Sequence, residues 1–346
     1  MDKAKPFRVG NVSVRPGGRQ TVNIQIGFMS NHLPMHMSAH VIHGQKPGPV
    51  MFVSAAVHGD EIIGVEIIRR LLSAPVMNRV RGTLIAVPIV NAYGFLSHSR
   101  YLPDRRDLNR AFPGSSSGSL AAQLAETFMR EIVARADVGI DLHSAAVHRE
   151  NLPQIRITED NGQLFELAKS FGAPVILKAP LREGSMRQSA LEVGTKVLLY
   201  EAGEGLRFDE VAIRVGVSGV LRVMRALGMV PASAVRQSKM LPSLSRNSYW
   251  VRAPEGGILR MYKACGDSVA EGDVIGMVSD PFGETEFEVV AKYGGLIIGR
   301  TRLPVVNQGD GLFHIAQVQK LDMADHMERI EKELAADPLY DEDEII

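Results

Sequence analysis

His58 and Glu61 stand three residues apart in VSAAVHGDEIIGVEIIRRLL (53–72), between an apolar run and a helical pattern. In a helical turn, residues i and i+3 face the same way, so an imidazole nitrogen and a carboxylate can meet at one point. That is the start of a zinc site. Catalytic zinc takes three protein ligands and keeps a fourth position open. A turn histidine followed by a first-turn acid favoured by the helix dipole would give the same spacing. A third ligand changes the weighing: His143 ends the apolar run DVGIDLH (137–143). Sites in open α/β sheets form outside the carboxyl ends of strands, so His58, Glu61 and His143 can converge there on one Zn2+ per chain. Asp141, two residues before His143 and on the same strand face, is a candidate partner for a ligand imidazole.

Another apolar run, KVLLYEAGEG (196–205), carries Glu201 and Glu204 at its end. A carboxylate beside a metal site can take a proton from water and pass it to a leaving amine. Glu201 is nearer the strand end and is the first choice, with Glu204 as the fallback. HSRYLPDRRDLNRAFPG (98–114) carries Arg100, Arg105, Arg106, Asn109 and Arg110, interleaved with apolar residues and Pro-Gly. Arginine forks hold carboxylates and stabilise oxyanions. Arg187 in GSMRQSA is a further candidate carboxylate holder. A rival metal candidate is the set His32, His36, His40 and His43. In a strand His36 and His40 share a face while His43 points away, and no carboxylate accompanies them. That segment reads as an early strand with a polar face.

The elements that must position these residues alternate. PVMFVSAAV (49–57), GTLIAVPIVN (82–91), DVGIDLH and KVLLYEAG are buried-strand patterns. EIIGVEIIRRLL, SLAAQLAETFMREIVARA (119–136), QLFELAKSFG and VAIRVGVSGVLRVMRALG have helical spacing, with Ser119 a candidate N-cap. The pattern predicts an α/β domain over 1–240, a mostly parallel mixed sheet flanked by helices. A polar linker (230–248) follows, then a Gly-broken β region over 248–318 with an approximate internal repeat. In it, APEGGIL (253–259) matches AKYGGLI (291–297), and VAEGDVIGMV (269–278) matches VNQGDGLFHI (306–315), implying two β units about a pseudo-two-fold. The last segment, 319–346, reads as a charged helical tail.

Composition excludes several classes. Lys plus Arg equals Asp plus Glu at 39 each, so nothing suggests nucleic-acid or membrane partners. A single cysteine, Cys265, excludes an intrachain disulfide framework and fits a reducing compartment. Neither a signal-peptide pattern nor a membrane-length apolar run is seen, so the expectation is a cytoplasmic protein.

HGDE (58–61), DLNRAFPG (107–114), DLH (141–143) and YEAGE (200–204) occur in the order found in the succinylglutamate desuccinylase/aspartoacylase family. The chain resembles that branch of the zinc carboxypeptidase superfamily over most of 40–230. The resemblance implies a carboxypeptidase-like fold, zinc held by His58, Glu61 and His143, and water activated by Glu201. It implies that Asn109 and Arg110 grip a substrate carboxylate, that Arg100 or Arg106 polarises the scissile carbonyl, and that Arg187 is a substrate-binding arginine. The C-terminal region resembles the barrel-sandwich of biotinyl and lipoyl carriers, as in the β domain of this family. Its inter-repeat hairpin DPFGETEFE (280–288) lacks the carrier lysine, so the domain is expected to cover the active site or make an oligomer contact. Family members can bring a tyrosine from this domain to the substrate, for which Tyr262 and Tyr293 are the candidates.

Two functions follow. One is a zinc-dependent deacylase cleaving the amide of a small N-acyl amino acid, with a carboxypeptidase on short peptides as a variant. The other is a non-catalytic small-molecule binder on the same fold. A binder has no need of a general base, so Glu201 favours the enzyme.

Overall fold

A computed structural model describes residues 4–158 and 162–318; the tail expected over 319–346 lies outside the described residues. β1 (Phe7–Val9) and β2 (Val12–Val14) form a short hairpin. The main sheet is then laid down by β3 (Arg19–Phe28), β4 (Pro34–His43), β5 (Val50–Ala55), β6 (Thr83–Val87), β7 (Val138–His143), β8 (Arg149–Ile157), β9 (Val175–Lys178) and β10 (Lys196–Gly203). Between them run α1 (Ile63–Ser73), α2 (Ala92–Leu96), α3 (Leu120–Glu131), α4 (Gly162–Phe171) and α5 (Met186–Glu192), and α6 (Glu210–Ala226) follows β10.

The helices cover both faces, as the alternation predicts. α1, α4 and α6 build one core with Ile67, Phe171 and Val220, while α3 and α5 build the other with Phe128 and Ala190. α1 shows the cause. Ile63, Ile67, Ile68 and Leu71 are fully buried, and each contributes about 1.5–3 kcal/mol relative to exposure. The helix ends where Ala74 turns extended ahead of Pro75, as a residue before proline tends to do. Ser119 does cap α3, its hydroxyl accepting from Ala122 N at 3.3 Å.

The main sheet is mixed, as expected, with parallel and antiparallel pairs side by side. Strands β6, β5, β7 and β10 run parallel, but β8 is antiparallel to β10, and β3 and β4 make an antiparallel edge. The reason is connection length. A parallel return needs a crossover of a dozen or more residues, and the chain from His143 to Arg149 has only a short turn, so β8 must run back the other way.

β11 (Ser243–Arg252) starts inside the stretch read as linker and pairs with β9. After it come β12 (Gly257–Met261), β13 (Ser268–Val269), β14 (Val274–Ser279), β15 (Glu286–Val290), β16 (Gly295–Thr301), β17 (Val305–Val306) and β18 (Gly311–Val318). The repeat is visible as an exchange: β12 of the first unit pairs with β17 of the second, and β16 of the second pairs with β13 of the first. β16 also pairs with β8, closing β8, β9, β11, β18 and β16 into a five-stranded barrel. Within the described residues, one hydrogen-bonded sheet of 12 strands therefore runs from β3 to β13 through both regions. Among the described residues, no helix is long and apolar enough to cross a membrane.

Candidate active site

The corner after β5 is tightly built. Ala56 takes a left-handed backbone conformation (φ 50°), unusual for a residue with a Cβ. A Cβ on Gly59 would lie 1.9 Å from the carbonyl carbon of Gly94, so only glycine lets the turn pass α2 so closely. The Asp60 carbonyl accepts from Leu206 N at 2.8 Å, tying this corner to the loop after β10. Glu61 precedes α1 rather than lying in its first turn, with its N–H bonded to the His58 carbonyl at 3.1 Å.

His58, Glu61 and His143 converge, one donor atom from each lying within 4.8 Å of the others, all three side chains buried. His58 Nδ1 is 2.6 Å from Glu61 Oε1, and His143 Nδ1 is 2.6 Å from Glu61 Oε2. Each imidazole turns its other nitrogen to an aspartate. His143 Nε2 donates to Asp141 Oδ2 at 2.7 Å, and His58 Nε2 to Asp107 Oδ1 at 3.1 Å. Asp141 is itself held by the Ser54 hydroxyl at 2.7 Å. Such aspartates fix the proton on Nε2 and leave the Nδ1 lone pairs facing Glu61.

Lone pairs opposed at that distance call for positive charge between them. Burial would lower the His143 pKa, yet Asp141 and Glu61 lift it well above the usual imidazole value. For His58, burial is likewise outweighed by Glu61 and Asp107. Burial would raise Glu61, but the two histidines hold it below the usual carboxylate range. Two nitrogens, one carboxylate and a local demand for positive charge fit a divalent cation with a position left open.

The arginines separate. Arg100 lines the cleft, its side chain 28% exposed, donating to Glu61 Oε1 at 3.1 Å and to Asp107 Oδ2 at 3.0 Å. Arg106 is 64% exposed, faces Asp104 at 3.7 Å and does not line the cleft. Asn109 and Arg110 both line it. Asn109 Oδ1 accepts from Met186 N at 3.0 Å, docking the DLNR turn against the start of α5, which brings Arg187 to the same cleft. Arg187 Nη1 is buried without a hydrogen-bond partner, and burial, then the neighbouring Arg156, lower its pKa to about 10. A buried guanidinium with a vacant N–H in a cleft is suited to an anion.

Glu201 lies at the end of β10 as the ladder partner of His143 and faces the same cleft. Glu204 does not line it; that carboxylate accepts from His148 N at 3.0 Å and pairs with Arg302 at 3.5 Å. From the C-terminal region it is Trp250 of β11 that lines the cleft, whereas Tyr262 and Tyr293 are exposed and do not. The indole is stacked on His314 at 4.8 Å, with the Arg149 guanidinium 5.1 Å from its ring. The rival histidines stay apart. His36 is exposed on β4, His40 meets Thr21 at 2.9 Å, and His43 is buried against Thr83 at 2.9 Å.

Asp107, Asn151, Arg156 and Trp250 escaped the sequence reading. Asp107 carried a local signal as the residue capping the turn Leu108–Arg110. Its link to His58 is a contact across 49 positions of sequence and carried none.

Comparison with known proteins identifies the family. Residues 47–227 match the succinylglutamate desuccinylase/aspartoacylase catalytic domain. The chain is 29% identical over 283 residues to the N-alpha-acetyl-L-2,4-diaminobutyric acid deacetylase of Halomonas elongata, covering 78% of this chain and 83% of that protein. A succinylglutamate desuccinylase from Silicibacter superposes with a TM-score of 0.79 at 23% identity, over 91% of this chain and 100% of the other. The product-bound ectoine utilization protein of Ruegeria pomeroyi superposes at 0.77 with 24% identity, over 86% and 94%. The motifs HGDE, DLNR, DLH and YEAGE all fall within the matched residues 47–227, more than half of the sequence: the chain belongs to the succinylglutamate desuccinylase/aspartoacylase family.

Proposed function

We propose that the protein is a zinc-dependent hydrolase that removes the acyl group from a small N-acyl amino acid. The observation that carries this is the convergence of His58, Glu61 and His143 with Glu201 in one arginine-lined cleft. His58, Glu61 and His143 would hold the zinc, which when bound would supply Lewis-acid chemistry toward a carbonyl and a water. The chain's residues then divide the work. Glu201 takes the proton from the attacking water and returns it to the leaving amine. Arg100, at the metal edge of the cleft, stabilises negative charge on the carbonyl oxygen. Asn109, Arg110 and Arg187 hold substrate carboxylate. Asp141 and Asp107 keep the ligand imidazoles oriented. The cleft is about 290 Å³, in keeping with a small substrate.

Charge argues further about that substrate. Among the described residues, six arginines line the cleft (Arg100, Arg110, Arg149, Arg156, Arg182 and Arg187) against three carboxylates. Those carboxylates are all engaged: Glu61 and Asp141 by the histidines, Glu201 by Asn151 and Arg156. None is free to receive a side-chain ammonium, so a substrate with more than one carboxylate is favoured over a diamino acid.

The test is a hydrolysis panel with zinc-loaded protein: N-acetyl aspartate and glutamate, N-succinyl amino acids, N-acetyl diaminobutyrate and short peptides. Amine release from the acidic or succinyl compounds is expected. Hydrolysis of peptides alone would overturn the deacylase reading. Within that assay, Arg100→Ala should lower kcat/KM by about 10²–10³, the usual cost of removing an oxyanion donor. Arg106→Ala should stay within about twofold, as expected of an exposed surface change. Equal losses would refute the assignment to Arg100.

A further inference from the structure

Glu201 is held from both sides by β8. Asn151 Nδ2 donates to Glu201 Oε2 at 2.9 Å, and Arg156 Nη1 faces Oε1 at 3.3 Å. Because a carboxylate only accepts, the contact assigns the amide nitrogen of Asn151 to Glu201 and turns its oxygen the other way. That oxygen faces β16. Asn151 and Gly299 are partners in the β8–β16 ladder, and a Cβ on Gly299 would lie 2.8 Å from Asn151 Oδ1. Both strands are irregular here: β10 shifts register against β8 between Glu201 and Gly203, and β16 against β18 between Ile297 and Gly299. Bulges re-aim side chains, and a glycine inside a strand often marks close approach of another group.

We propose that Asn151 is the positioning residue for Glu201, and that the bare backbone of Gly299 provides the space that keeps Asn151 in that orientation. The inference rests on the reading of Glu201 as the base. Arg156 contributes charge to the carboxylate; Asn151 fixes its rotamer without adding charge. The closed barrel thereby links the C-terminal region to the reacting end of the cleft through two residues. Gly299 does not itself line the cleft.

The experiment is a double-mutant cycle on the zinc-loaded protein with the best substrate of the panel. Asn151→Ala should lower kcat by about tenfold or more, as expected when a reacting group leaves its near-attack position. KM should move by less than about threefold and zinc should stay at one per chain, since neither a substrate contact nor a metal ligand has been removed. Asn151→Leu, which keeps the approximate shape and loses the donor without adding charge, should lose kcat likewise and serves where the alanine variant folds poorly. Gly299→Ala should lower kcat by about threefold in the wild type and by nothing further in Asn151→Ala, because contacting residues are non-additive. Glu201→Gln is measured alongside. If that variant keeps wild-type kcat, the base reading fails. If it is inactive while both Asn151 variants keep wild-type kcat, the positioning role is overturned. If Gly299→Ala costs the same factor in both backgrounds, its effect does not run through Asn151 and that half of the proposal is overturned.

Discussion

Replacing Glu201 by glutamine should leave the zinc content at one per chain and lower kcat by about 10²–10⁴, the range supplied by a positioned general base. Glutamine preserves the shape and can still accept from Asn151, so the anchor on β8 survives. What is lost is proton affinity and the ion pair to Arg156. KM should change little, because the arginines proposed to hold substrate carboxylate are untouched. The corresponding Glu204→Gln variant should keep most of its activity, since that carboxylate is turned toward Arg302 and His148 and away from the cleft. A fully active Glu201→Gln protein, or an inactive Glu204→Gln one, would reassign the base.

Replacing His143 by alanine should remove the metal and reduce hydrolysis to background. Two ligands remain, and a two-ligand site holds zinc far more weakly than the three-ligand catalytic pattern. The substitution also strands buried carboxylates. Asp141 loses its imidazole partner and Glu61 loses one of two. Breaking a buried pair in this way costs about 3–5 kcal/mol of stability, so the variant should also unfold at lower temperature. Asp141→Asn is the graded version, keeping all three ligands but weakening the orientation of His143. It should reduce zinc affinity by about 10–100-fold, the usual cost of losing such a partner. Metal analysis after dialysis, with chelated wild-type protein re-supplied with zinc as the control, reads both. Chelated wild type should regain activity with zinc, and His143→Ala should not. Retention of one zinc per chain by His143→Ala would place the metal elsewhere.

The parts of this site that could be read without coordinates are those set by local backbone geometry. His58 and Glu61 are three residues apart on a turn, so they must share a side. Asp141 and His143 are two apart on a strand, so they must share a face. Apolar runs ending in these residues gave the strands, and helical spacing with a capping Ser119 gave the helices. The β repeat was visible because each copy keeps its own pattern of glycines and apolar residues. Tertiary structure decided everything that joins distant segments. It selected Arg100 over Arg106 for the cleft, because Arg100 reaches Glu61 and Asp107 whereas Arg106 is exposed beside Asp104. It brought Asp107, Asn151 and Trp250 to the site from three separate places in the sequence. It also turned β8 antiparallel and carried the mixed sheet on into a closed barrel, because the turn after His143 is too short to return the chain for a parallel strand. Short-range spacing is fixed by 3.6- and 2-residue periods of the backbone; which strands become neighbours depends on connection length and packing, which no local period encodes.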